Sequence, residues 1–311
     1  MKVNDKQTST GMCMTDDNQP SAAEHRSLVD HLLADPEVTH RPRILLVAFE
    51  GWNDAGEAAT DAVEEVGRQL DAQQVSVLNA DEYYDYQVNR PVVTRLADGR
   101  SDIAWPQTRL LQCQSPDTPA ELFLMLGVEP NFRWKSFTAE LLTTAAEHRI
   151  DAIVLVGALL SDTPHSRPLS PTLTSGDDAV RTAVGARAPS YEGPTGIVGV
   201  ISATAEKVGT TTVSMWAPVP HYVAQSPSPK AQLALLKELE QLVDVRLNLQ
   251  ERADDAAAWV RGVNELADED PEIADYIRRL EQARDTEELP EASGESIARE
   301  FERYLKRRDQ G

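Results

Sequence analysis

Cysteine is scarce. The 311 residues contain two, Cys13 and Cys113, far apart and outside any CxxC or CxxxC spacing. That excludes a thiolate zinc cluster and a dithiol redox motif, and it suits a reducing compartment. Aromatics are scarce as well, at 5%, so aliphatic side chains and alanine have to fill the core. Long hydrophobic runs are missing: no stretch approaches the roughly 18–20 apolar residues that a membrane helix needs. The opening residues, MKVNDKQTSTGMCMTDDNQP, hold no apolar run, so a signal peptide is not expected. Basic clusters are missing too. Asp and Glu number 51 against 30 Lys and Arg, a formal net charge of −21, and the densest basic run, Lys306-Arg307-Arg308, sits inside an acidic helical pattern. Such a surface repels a phosphate backbone. The expectation is a cytoplasmic protein with no nucleic-acid partner, no membrane partner, and neither metal nor other cofactor.

Signatures of catalysis are missing as well. There is no GxSxG elbow, no HExxH, no GxGxxG and no P-loop lysine, and the six histidines are scattered. No nucleophile, base and orienting group stand together, so no catalytic residue is named and the reading inclines to a protein that is not an enzyme.

What is present is an alternation of buried strands and amphipathic helices. Residues 1–40 are polar and patternless apart from a weak helix near Ser27–Ala34, and read as a flexible leader. Ile44–Phe49 is a continuous apolar run, the mark of a strand buried on both faces. Residues 56–70 follow with a helical period, and Val75–Leu78 reads as a second strand, which predicts a parallel strand–helix–strand unit. Val92–Thr94, Asp102–Trp105 and Arg109–Gln114 are short strands around an "ADGR" hairpin signal, expected to form an antiparallel insertion. Leu122–Gly127 and Ile153–Gly157 are further buried strands. Trp134–His148 is a helix with Ser136 as N-cap, and 193–209 holds another with Thr195 as cap and Gly209 as terminator. Val213–Ala217 is a strand, and Ser228-Pro229 opens a long helix. Beyond 250 the chain carries 18 acidic residues against 10 basic ones. Two amphipathic patterns occur there, Ile273, Tyr276, Ile277, Leu280 and Ile297, Phe301, Tyr304, Leu305, separated by the linker DTEELPEASGES. The division is a leader at 1–40, an α/β core at 41–250 and an acidic helical extension at 251–311.

In open α/β sheets, ligands sit beyond the carboxyl ends of the strands. Four stretches fall there. In "EGWNDAGE", Asn53 or Asp54 is a natural helix cap, or else faces a pocket; Glu50 directly follows the apolar strand and is expected to be partly buried. "SDTPHSRP" places Asp162, His165 and Arg167 on a loop stiffened by two prolines. It either binds an anion or moves a proton, or it is held by internal ion pairs. "GPTGIVG", with Gly196, either cradles phosphate at a helix start or packs closely on the sheet. "WAPVPHY" puts His221 and Tyr222 in a turn, as acid–base groups or as hydrogen-bonded structure.

Taken together, "LVAFEGWNDAGEAA", "GVEPNFRW", "VGALLSDTPHSRP", "YEGPTGIVGV", "MWAPVPHY" and "PSPKAQLALL" resemble the PAC2 family, which includes the proteasome assembly chaperones and their prokaryotic relatives. The resemblance runs from about 43 to 245. It implies a three-layer α/β/α sandwich with a mostly parallel sheet, similar to nucleoside phosphorylases, and self-association, with a trimer as the starting expectation. It also implies an assembly or interaction role with proteasome subunits as partners. Some chaperones of the family dock through a tail ending hydrophobic–Tyr–any. The sequence here ends YLKRRDQG with Tyr304 inside a helix pattern, so docking of that kind is not expected. The alternative is a small-molecule binding protein or hydrolase, for a nucleoside-like or anionic metabolite, at the carboxyl ends of the strands. A third possibility is oligomerisation alone, through apolar surface around Val92–Leu111.

Overall fold

The computed structural model describes residues 26–78 and 80–285. Much of the leader, the 285–296 linker beyond Asp285, the Ile297–Leu305 helix pattern and Cys13 lie outside them.

The centre of the sheet is a strand whose interior is apolar on both faces. β1 (Arg43–Glu50), RILLVAFE, is buried from Ile44 to Phe49. Its even residues enter one core and its odd residues another, as a period of two requires. Ile44, Leu46 and Ala48 pack with α1 (Leu28–Leu33) and α2 (Ala58–Gln69); Leu45, Val47 and Phe49 pack with the opposite layer. A seven-stranded sheet forms around β1 in the order β2-β5-β6-β1-β7-β9-β8. β6 (Glu121–Val128), β7 (Ala152–Ser161) and β9 (Thr211–Pro220) join β1 in parallel. β2 (Gln73–Val77), β5 (Thr108–Gln112) and β8 (Thr172–Thr174) add antiparallel margins. β3 (Val92–Arg95) and β4 (Ser101–Ala104) form a separate hairpin.

One face is covered by α1, α2, α4 (Asp178–Val184) and α6 (Pro229–Leu242); the other by α3 (Trp134–Glu147) and α5 (Ile197–Lys207). The result is the three-layer α/β sandwich with a mostly parallel sheet. α7 (Gln250–Glu269) packs on α6, and α8 (Pro271–Asp285) packs on α7. No described helix is long and apolar enough to cross a membrane.

Three local expectations are corrected. β2 does not pair with β1: it lies at the sheet margin, antiparallel to β5. Its QQVSV sequence is exposed along nearly its whole length, so it cannot fill the two-sided slot that β6, ELFLMLGV, takes beside β1. β5 belongs to the main sheet, and the insertion proper is the β3–β4 hairpin. Ser136 lies inside α3, whose N-cap is Arg133 in the left-handed region (φ 56). β8, α4 and α7 were not foreseen.

Candidate functional site

The turn after β1 is held by its neighbour strand. Ala158 N–H donates to the Asn53 carbonyl at 2.8 Å, and Asp54 forms a parallel bridge to Ala158. This extends β7 pairing past the end of β1 and fixes the turn. Trp52 and Asn53 then line a cavity of about 610 Å³ at the carboxyl ends of β1 and β7, beside α5 and β9.

Asn53 is 2% exposed. Its Nδ2 donates to Glu129 Oε1 at 2.9 Å, and the same oxygen accepts the backbone N–H of Ile197 at 2.9 Å. Glu129 follows β6 directly, so one carboxylate ties the ends of β1 and β6 to the first turn of α5. It does the work expected of Thr195. The actual N-cap is Gly196, which makes no side-chain bond. Gly196 is required for another reason: a Cβ there would lie 2.4 Å from the Asn53 side chain. Burial raises the Glu129 carboxyl, while the bonds from Ile197 and Asn53 act against that.

Asp54 turns the other way. It is 6% exposed, and Oδ1 accepts the Ala59 N–H at 2.6 Å; the Thr60 hydroxyl donates to Oδ2. It caps the first turn of α2. Burial raises its carboxyl from 3.8 to about 6 against the opposing bonds from Thr60 and Ala59. The folded state thus holds this proton more tightly than the unfolded chain. The stability it contributes is complete below about pH 4 and is lost as the pH rises through about 6. Between those limits the wild type should lose up to about 3 kcal/mol relative to Asp54→Asn. Urea unfolding of both proteins across this range is the check, and parallel pH dependences would refute it.

Glu50 closes β1 at its exposed end but is still partly desolvated there: burial raises its carboxyl, Glu64, Glu57 and Asp61 on the α2 side add to the rise, and Arg109 opposes it.

The other candidates gather elsewhere. His165, 1% exposed, accepts at Nδ1 from the Tyr222 hydroxyl at 2.8 Å and donates from Nε2 to Asn264 Oδ1 of α7 at 2.9 Å. The Tyr222 oxygen in turn accepts the His165 backbone N–H at 2.7 Å. One neutral tautomer, protonated on Nε2, satisfies every bond. Burial lowers the His165 pKa. Arg167 makes a two-pronged contact with Asp285 of α8, 2.8 Å on each arm, and reaches Glu281 at 3.5 Å. Asp162 meets His221 at 3.2 Å and Tyr276 at 3.3 Å. This cluster is the seat of α7 and α8, its guanidinium is already engaged by carboxylates, and its histidine is fully bonded.

The nine candidates therefore divide. Asn53 lines the cavity, with Gly196 packed against it; Asp54 and Glu50 stand on the α2 side; Asp162, His165, Arg167, His221 and Tyr222 form the helix seat. Reading the sequence missed Glu129, Tyr191, Glu206 and Trp216. Glu129 had a visible signal, an acid directly after an apolar strand, the same pattern that drew attention to Glu50.

A third surface is apolar. On one face of the β3–β4 hairpin, Val93 pairs with Ile103 and both are exposed, with Trp105 exposed beyond them. Trp105 meets Tyr86 edge-on at 4.9 Å between centroids. Val75 and Val77 of the marginal strand β2 are exposed as well.

The sequence profile of the PAC2 family matches residues 48–267. The chain belongs to the PAC2 family. A PAC2 family protein from Streptomyces avermitilis is 46% identical, with a TM-score of 0.71; the match covers 75% of this chain and 99% of that one. A proteasome-assembly chaperone homologue from Mycobacterium tuberculosis is 42% identical, with a TM-score of 0.68 and the same coverage of both chains. An archaeal homologue of proteasome-assembly chaperone from Pyrococcus furiosus shares the fold at 13% identity and a TM-score of 0.53, over 78% of this chain and 96% of that one. No curated protein matches the chain. The PAC2 match contains the β1–α2 turn, Glu129, the 162–167 loop and most of α7, and it stops before α8.

Proposed function

We propose that this PAC2 protein is a cytoplasmic, non-catalytic assembly factor that self-associates through its α/β core and receives proteasome subunits as partners. Support for the role comes from the 42% identical proteasome-assembly chaperone homologue. Support for the self-association comes from one observation, the apolar face of the β3–β4 hairpin. A two-stranded hairpin is marginal alone in water, and this one leaves Val93 63% and Ile103 47% exposed. Exposed apolar surface on a projecting hairpin is the signature of a contact face. A closed ring, a trimer in the simplest case, would cover it in every copy.

Native mass spectrometry of the purified protein, alone and with separately purified proteasome α and β subunits, tests both parts. The expected result is a homo-oligomer that captures free subunits. A monomer at micromolar concentration would end the self-association, and indifference to both subunits would end the proteasome role. Val93→Glu with Ile103→Glu should convert the oligomer to monomers that keep the wild-type circular dichroism spectrum, because both side chains are exposed in the single chain and the fold does not depend on them.

A second reading, a small-molecule binding protein or hydrolase, is favoured by the cavity beside Asn53. Its hydrolase half would have to rely on Glu206, Ser202 and Tyr191, because no His, Cys, Lys, Arg or Asp is among the described residues that line the cavity.

A further inference from the structure

The cavity has walls of a definite kind. Trp52, Tyr191 and Trp216 supply three half-buried aromatic rings. The Trp216 indole lies against β7 where the strand has no side chain: a Cβ on Gly157 would come within 2.5 Å of the ring. Gly157 therefore makes room for that wall. The volume of about 610 Å³ falls in the range that holds a drug-sized molecule.

The polar groups are few and of one sign. Glu206 is the single charged residue among the described residues that line the cavity. Its Oε1 accepts from the Thr212 hydroxyl at 3.2 Å and from the Ser202 hydroxyl at 3.4 Å, so the carboxylate is oriented from two sides. Ser214, 8% exposed, donates to Ser202 at 3.4 Å. The α5 N-terminus next to the cavity, which would otherwise attract an anion, is already neutralised at its first N–H by Glu129. The chain's net charge of −21 adds a field of the same sign.

We propose that this cavity binds an organic cation with a flat apolar body, an aromatic amine in the simplest form, with its ring among Trp52, Tyr191 and Trp216 and its ammonium on Glu206. Two forces choose the cation. Aromatic faces attract positive charge, and a carboxylate oriented by Thr212 and Ser202 supplies a charge-assisted hydrogen bond. An anionic metabolite, one of the two ligand classes expected from sequence, meets the reverse of both. The proposed cation site rests on the small-molecule reading and is independent of the assembly role, since oligomerisation and subunit capture do not require the cavity.

Three probes with one ring separate the contributions: tryptamine, indole and indole-3-acetate, titrated calorimetrically into the full chain. Tryptamine should bind at least about tenfold more tightly than indole-3-acetate, with indole between them. Glu206→Gln should bring the three together without changing the unfolding temperature, because the residue is exposed. Ser202→Trp, which narrows the cavity beside Glu206, should weaken binding of all three. Equal binding of the three probes to the wild type would keep the cavity as a site and overturn the cation. A preference that survives Glu206→Gln would overturn the role of that carboxylate. Absence of binding by any probe up to about 1 mM would overturn the proposal entirely, whatever native mass spectrometry says of the oligomer.

Discussion

Glu129→Ala should lower the unfolding temperature by roughly 5–10 °C and loosen the cavity. The residue accepts two hydrogen bonds at one oxygen, from Asn53 Nδ2 and from the Ile197 N–H, both at 2.9 Å, and its carboxylate is also bonded by the Trp52 backbone N–H. Alanine removes a helix cap, worth about 1 kcal/mol. It also strands the amide of Asn53, a residue that is 2% exposed, and an unpaired buried donor costs about 1–3 kcal/mol. The sum, about 2–4 kcal/mol, corresponds to that temperature range for a domain of this size. Glu129→Gln is the informative companion. Its amide oxygen still accepts both bonds, so it should recover most of the loss. Differential scanning calorimetry of the two variants decides the matter. If glutamine is as damaging as alanine, the negative charge matters more than the two bonds; if neither variant is destabilised, the carboxylate does not join β1, β6 and α5.

Why the sequence revealed the sheet and not this junction follows from the range of the forces. Ile44–Phe49, Leu122–Gly127, Ile153–Gly157 and Val213–Ala217 are apolar on both faces, and such runs become strands wherever the chain takes them. The helices over 134–148 and 193–209 were equally visible, since their apolar period is local. Their caps were not. The α5 cap comes from Glu129, some seventy residues upstream of Ile197, and no local spacing announces it. β2 misled for the same reason: strand–helix–strand predicts a parallel neighbour, and only its exposed side chains, QQVSV, reveal a marginal strand. At the site, residue type was readable and destination was not. Asp54 was legible as a cap because capping is a matter of a few residues. His165 and Arg167 were read with two open outcomes, and what closes them is α7 and α8, a hundred residues further on. The cavity walls suffered most: Trp52, Tyr191 and Trp216 come from three separate parts of the chain, and an isolated tryptophan in a strand gives no sign that a glycine on the next strand has left it room.

The seat of the C-terminal helices should be sensitive to acid, and His165 is the reason. Its ring is neutral and saturated by Tyr222 and Asn264, with Trp259 of α7 edge-on at 6.3 Å between centroids. Burial lowers its pKa and Lys230 acts in the same direction, while the Asn264 bond and Glu281 oppose them. The unfolded chain therefore binds the proton more readily than the folded one. The stability from this residue is complete above the ordinary histidine pKa, about 6.5, and is lost as the pH falls below it. The sign is opposite to that of Asp54. A second proton would have to sit on Nδ1, facing a Tyr222 oxygen that already accepts the His165 N–H. Below about pH 6, hydrogen exchange corrected for its intrinsic rate should therefore rise across 250–285 before it rises in β1, β6 or β7. His165→Ala should show that exchange pattern at neutral pH, with an unfolding temperature lower by several degrees, because the Tyr222 O–H and Asn264 Oδ1 lose their ring partners at a cost of about 1–3 kcal/mol each, although the backbone N–H of residue 165 still reaches the Tyr222 oxygen. Arg167→Ala should loosen the last turns of α8 and leave α7 in place, because its partners Glu281 and Asp285 are both on α8, whose earlier turns stay held by Tyr276 and the buried Ile277 and Leu280. Trypsin would then cut at Arg284 sooner than in the wild type. Uniform exchange across sheet and helices at low pH would mean that these helices are an inseparable part of the core, and that His165 titrates only when the whole fold opens.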